Sequence, residues 1–299
     1  MNKLPLTKRT QILSMLCEGS SMRSIGRVLD VSYDAIDKML KDAGTACADF
    51  HSETVRGLQS ERIQCDEVWS FCYAKARNVR ATKAAPASAG DVWTWTAIDA
   101  DSKLIVSWHV GNRDTASGLE FMDDLRGRLA NRVQLTTDGH PVYPQAVEES
   151  FGDNVDFAQL VKQYATPTAS REAARRYSPA ECIGTKKITI TDAPKRQHIS
   201  TSFVERSNLS IRMGIRRYTR LTNAFSKRID NHCHSLALYF VFYNFVRTHK
   251  TLRMTPAMAA GVIASPMEME DIVALIDARE APPKARGSYK PRQPKGVSI

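Results

Sequence analysis

Long apolar runs are missing from this 299-residue sequence. The longest, Leu236 to Val246, is eleven residues and contains Asn244, which is too short to cross a bilayer and predicts a buried helix instead. No membrane partner is expected. The first twenty residues carry Lys3, Lys8 and Arg9 but no apolar stretch followed by a small-residue cleavage site, so the expected location is the cytoplasm, at the nucleoid. Cys17, Cys47, Cys65, Cys72, Cys182 and Cys233 form no C-x-x-C pair. That spacing argues against a zinc ribbon and for reduced thiols rather than a disulfide framework. Acidic residues are absent from the last nineteen positions and nearly absent between Lys195 and Arg228, where nine bases accompany the single acid Glu205.

What is present is ordinary globular usage, 42% hydrophobic and 25% charged, with a formal net charge of +10. A chain of this length suggests roughly two units of about 150 residues. The concentration of base around residues 195–228 matters more than the total. Like charges one turn apart repel, so a segment carrying net +8 implies a polyanion such as a phosphate backbone, although a solvated face is the plainer alternative. Residues 281–299 combine Pro282, Pro283, Pro291 and Pro294 with five bases; no core can form there, and a disordered basic tail is expected.

Between Thr7 and Gly44 apolar residues recur at three- and four-residue steps, predicting three short helices. The second begins behind Ser20-Ser21. The third begins behind Ser32 and ends at Ala43 before Gly44. Two helices joined by a tight turn form a helix-turn-helix, whose last helix reads a major groove from its N-terminal end. Tyr33 and Lys38, with Ser32, Asp34 and Asp37, are the exposed candidates for DNA contact, against the alternative of a plain helical satellite. Residues 1–45 form this unit, and 46–60 read as a polar linker.

Three strands follow, at Arg62 to Tyr73, Val92 to Ile98 and Lys103 to Val110, with turn chemistry at Asp99 to Ser102. A helix opened by Asp114-Thr115 leads to a strand at Val133 to Thr136, a second helix, and a strand near Phe157 to Val161. The order is that of a ribonuclease-H-like mixed α/β sheet. Asp66 on the first strand and Asp138 just after the fourth meet if those strands are neighbours, and Glu205 arrives later on a helix between Thr201 and Met213. Carboxylates gathered in a cleft repel unless a hard cation holds them, and Mg²⁺ or Mn²⁺ suits oxygen ligands. Spacing alone does not choose three acids out of 32.

Three blocks narrow the choice. Asp66-Glu67-Val68-Trp69-Ser70-Phe71, Thr137-Asp138-Gly139-His140-Pro141-Val142-Tyr143, and Val204-Glu205-Arg206-Ser207-Asn208-Leu209-Ser210-Ile211-Arg212 together resemble the DDE transposases of bacterial insertion sequences, most nearly the insertion-sequence-one type. The resemblance runs from about Arg62 to Val262 and includes Tyr243-Asn244-Phe245, His249 and Thr255-Pro256-Ala257.

The resemblance implies a ribonuclease-H-like catalytic domain at 61–262 with an insertion at about 162–198, then a C-terminal helix at 263–280. By position, Asp66, Asp138 and Glu205 would be the catalytic residues and would ligate two Mg²⁺ or Mn²⁺ ions. Arg212 would meet DNA phosphate two turns beyond Glu205, and Asn208, on the same face, would position DNA. Arg206, Arg216 and Arg217 complete the DNA-binding set. Glu67 is an alternative to Asp66, but strand neighbours point to opposite faces, so only one should enter the cleft. The N-terminal zinc element common in insertion-sequence-one members is missing here. Trp69, Trp93 and Trp95 are expected in the core, and His232-Cys233-His234 as ordinary helix residues.

The implied activity is DNA transposition. The chain would bind terminal inverted repeats, cleave the element's 3′ ends and join them to target double-stranded DNA, working as a homodimer or larger assembly. Two rivals remain: a DNA-binding regulator of the same descent that does not cleave, and a structure-specific nuclease of the same fold.

Overall fold

The computed structural model describes residues 3–165, 182–219 and 222–280. Residues 166–181 of the expected insertion, Arg220 with Leu221, and the basic tail lie outside the described residues. Three helices open the chain: α1 (Leu6–Cys17), α2 (Met22–Leu29) and α3 (Tyr33–Thr54). The starts of α2 and α3 follow side-chain caps, since Ser21 Oγ accepts from the Ser24 N–H and Ser32 Oγ from the Ala35 N–H. Asp30, between α2 and α3, turns the chain in the left-handed region at φ 50°, which a short polar side chain tolerates.

The third helix does not stop at Ala43. It continues to Thr54, so most of the stretch expected as a linker is helix, and Gly44 serves another purpose. A Cβ at Gly44 would stand 2.4 Å from the Cβ of His234. The glycine therefore permits close crossing of α3 over α8 (Ile229–Val241), and burial of Ala43, Ala46 and Cys47 along the same face outweighs the modest propensity cost of glycine within a helix.

The sheet contains β1 (Arg62–Cys72), β2 (Gly90–Asp99), β3 (Ile105–Gly111), β4 (Val133–Asp138), β5 (Val155–Tyr164) and β6 (Cys182–Thr191) in the order β3-β2-β1-β4-β5-β6. The short α4 (Ala76–Val79) lies between β1 and β2, α5 (Thr115–Arg128) and α6 (Val142–Phe151) supply the crossovers around β4, and α7 (Ser202–Gly214) follows β6. β1, β2 and β3 are antiparallel neighbours, while β1, β4 and β5 run parallel. This is the expected ribonuclease-H-like arrangement. β6 pairs antiparallel with β5, so the described end of the expected insertion extends the sheet.

One apolar cluster runs from Ile12 of α1 through the sheet to Ile276 of α10 (Met269–Ala278), beyond the single-turn α9 (Pro256–Ala259). The first three helices therefore share a core with the sheet. The apolar run at Leu236 is buried as expected, and α8 passes directly into a π-helical turn, Phe242–Val246. Asn244 within that turn imitates a strand: its Oδ1 accepts from the Ile105 N–H at 2.9 Å and its Nδ2 donates to the Ile105 carbonyl at 2.9 Å. Two buried backbone groups of edge strand β3 are satisfied in this way. Among the described residues no helix is long and apolar enough to cross a membrane.

Candidate active site

Parallel pairing of β1 with β4 ends at Cys65 opposite Thr137, which puts Asp66 and Asp138 on the next rung. The strands are adjacent, as the motif order requires. Carboxylate oxygens of Asp66, Glu67 and Asp138 lie within 4.8 Å of one another. Glu67 thus corrects the expectation that a strand admits only one of two neighbours to the cleft. Asp66 bends back so that its Oδ1 accepts from the Glu67 N–H at 2.9 Å, and the longer glutamate side chain reaches the same space from the other side.

Each acid is held by identifiable partners. Asp66 Oδ2 accepts from Asn208 Nδ2 at 2.8 Å. Asp138 Oδ1 accepts from the His140 N–H at 2.9 Å, and Gln159 on β5 fixes the turn by donating to the carbonyls of Asp138 and His140. The Glu67 side chain is 1% exposed and pairs with Arg113 Nη2 at 3.2 Å; the same nitrogen lies 4.0 Å from Asp138 Oδ2. Oε1 of Glu67 is buried and has no hydrogen-bond partner among the described residues.

Glu205 sits in the first turn of α7, where the helix N-terminus favours an anion. That turn is fastened to β1 because Gln64 Oε1 accepts from the Phe203 and Val204 N–H groups. Glu205 accepts from Thr201 Oγ1 at 2.5 Å and pairs with Lys162 Nζ at 2.5 Å. Lys162, near the end of β5, also acts electrostatically on Asp66.

Crowding of negative charge shows in the acidities. Burial, then the charges of Asp138 and Glu205, raise the Asp66 pKa to about 7, although the Glu67 N–H and Lys162 oppose the rise. Burial and Asp138 likewise raise Glu67 to about 7, against the pull of Tyr143 and Arg113. Such shifts mark a place where carboxylates are short of positive charge. Oxygen donors alone, one of them buried without a partner, fit a hard divalent cation such as Mg²⁺ or Mn²⁺.

The expected DNA-contacting residues separate into groups. Tyr33 is 54% exposed at the start of α3, and Lys38 is exposed but pairs with Asp42 one turn on. Arg206 and Arg216 are exposed, and Arg212 is half-buried. Asn208 is buried and engaged with Asp66, on a helix, α7, that packs against β1. Arg217 is tucked inward, donating to Ser226 Oγ at 3.4 Å and Met22 Sδ at 3.5 Å. A cleft of about 1030 Å³ opens beside it, lined by Arg23, Tyr33, Lys41, Arg216, Lys227 and Arg228 among others.

His232 is a buried helix residue placed between Ser70 and Ser226, and burial lowers its pKa to about 3. Both its ring nitrogens are engaged by these hydroxyls. Trp95 is fully buried as expected, whereas Trp69 and Trp93 are only half-buried. The sequence reading missed Arg113, Lys162, Gln64 and Gln159. Gln159 had a legible signal, a polar residue inside the apolar run Phe157 to Val161; Arg113, one cation among many before a helix cap, had none.

No protein-family model matches this chain, and no curated protein matches it. Solved structures similar to it include the Mos1 transposase paired-end complex with left transposon end, at 13% identity and TM-score 0.22, the match covering 52% of this chain and 60% of that one. The piggyBac transposase synaptic complex with hairpin DNA matches at 10% identity and TM-score 0.37, over 94% and 73% of the two chains. The Mos1 strand transfer complex matches at 13% and 0.24, over 80% and 78%. These likenesses are distant.

Proposed function

We propose that the chain is a DNA transposase that cleaves 3′ ends and joins them to target DNA at the Asp66, Asp138 and Glu205 site. The convergence of Asp66, Glu67 and Asp138 within 4.8 Å on adjoining strands, with Glu205 close enough to act on Asp66, is the observation that carries this reading. Asp66, Asp138 and Glu205 would hold two divalent ions, Mg²⁺ or Mn²⁺, with Glu67 within reach as a further ligand. Ions bound there would activate the attacking oxygen and stabilise the leaving oxygen in phosphoryl transfer.

The chain's own groups set the geometry. Asn208 orients Asp66, His140 and Gln159 fix the Asp138 turn, and Gln64 anchors the helix that carries Glu205. Arg113 and Lys162 balance the acids when no divalent ion is bound. The division into a DNA-reading unit at 1–45, a catalytic domain at 61–262, a helical segment at 263–280 and a basic tail at 281–299 belongs to the same proposal. Arg206, Arg212 and Arg216 would meet phosphate, and Tyr33 and Lys38 would read the terminal repeat. Joining two ends requires at least a homodimer.

The test is incubation with labelled terminal-repeat DNA, a target plasmid and Mg²⁺. Joined products, lost in Asp66→Asn and Asp138→Asn, support transposition. Cuts without joining identify a nuclease, and binding without cuts a regulator.

A further inference from the structure

Alternation along β1 sends Glu67, Trp69 and Phe71 to one face of the sheet, and Trp93 lies directly opposite Trp69 on β2. Where α5 and α6 cover this face, its aromatic residue is sealed: Trp95 packs edge-on against Tyr143 and beside Phe121 with no exposure. Beyond Glu67 the face behaves differently. Trp69, Phe71, Trp93 and Phe225 are all half-buried. The Trp69 and Phe71 centroids are 5.8 Å apart with planes at 35°, and those of Phe71 and Phe225 are 5.0 Å apart at 33°.

Cations lie over this strip, with Glu67 at one end and Asp91, opposite Phe71 on β2, at the other. The Arg113 guanidinium lies 4.6 Å from the Trp93 centroid while it holds Glu67, and Lys75 Nζ lies 5.6 Å from Trp69 and 5.8 Å from Phe71. At the far end Phe225 also lines the basic cleft that includes Tyr33, Arg216 and Arg228. A track of rings and positive charge therefore leads from the start of α3 to the carboxylate cluster, with about 13 Å of strand between Glu67 and Phe71.

We propose that this strip binds unpaired nucleotides of the DNA strand that leads to the cut phosphate, with bases on Trp69 and Phe71 and phosphates on Arg113 and Lys75. The proposal rests on the reading of the chain as a DNA-cutting enzyme. Charge and continuity select the occupant. Arg113 is already paired with Glu67, but a purely apolar partner would leave Lys75 without an anion, and an acidic peptide would lack flat faces for the rings, whereas a single strand supplies anions and π-faces at regular intervals. The open end of the strip is the acid cluster itself.

The experiment compares the full chain's affinity for a short blunt duplex and for the same duplex with an unpaired overhang carrying 2-aminopurine. Each stacked base should tighten binding on the order of tenfold, with quenching of the 2-aminopurine fluorescence. Trp69→Leu and Phe71→Leu should abolish both effects and leave blunt-duplex affinity unchanged; circular dichroism melts confirm that they fold. No gain from the overhang in the unaltered chain, or a gain that survives both substitutions, overturns the proposal. Mg²⁺-dependent cutting of the same DNA is scored separately, so that loss of cutting with overhang binding intact counts against the enzymatic reading alone.

Discussion

Asn208 donates from Nδ2 to Oδ2 of Asp66 across 2.8 Å, joining α7 to the middle of the sheet at the carboxylate that has the greatest need of orientation. Thr96 donates in turn to the Asp66 carbonyl, so the position is fixed from β2 as well. An amide in this place makes Asn208 a positioning residue. Asn208→Ala should lower Mn²⁺ affinity about 10–100-fold, read by calorimetric titration, while the far-ultraviolet dichroism stays native. Unchanged affinity would remove this role.

Lys162 is a different kind of neighbour, because its ammonium stands beside Glu205 where a divalent ion would compete with it. Lys162→Met should therefore tighten Mn²⁺ binding several-fold in the absence of DNA. Weaker binding in the same titration would mean that the lysine assembles the site rather than competing for it.

Stability of the metal-free chain should depend on pH in a defined direction. Asp66 and Glu67 ionise near 7 in the folded chain, against ordinary values of 3.8 and 4.5. The folded state therefore binds protons more tightly than the unfolded state in this window, and unfolding free energy falls as pH rises from about 4 to about 7, then levels. Each unit of displacement is worth about 1.4 kcal/mol. Denaturant melts of Asp66→Asn should show a weaker decline and greater stability than the parent at pH 8. Mn²⁺ should stabilise the parent at pH 8 in proportion to the logarithm of its concentration. A flat profile in the parent would contradict the crowded-carboxylate account.

Gly44 tests the packing of the first helices on the rest. Gly44→Ala would add a methyl where His234 already stands, and such overpacking costs about 1–3 kcal/mol, despite the better helix propensity of alanine. A thermal melt should show the loss. Pairing the change with His234→Gly should recover part of it.

The linear sequence determined what local chemistry can specify. Ser21 and Ser32 start helices wherever the chain goes, and alternation marks β1 and β2 as strands. The motif blocks around Asp66, Asp138 and Glu205, through their resemblance to a known family and not through spacing, single out three acids before any strand is paired. What the sequence left open is non-local. Gly44 read as a helix end because nothing in its neighbours reveals a second helix pressing on it, and helical spacing put Asn208 on the Glu205 face without saying that Asp66 covers it. Pairing β1 with β4, crossing α3 over α8 and docking α7 on Gln64 bring together residues more than 60 positions apart. Only that assembly decided that Glu67 joins the acids and that Arg113 and Lys162 answer them, because Coulomb and burial energies depend on distance in space and not on separation along the chain.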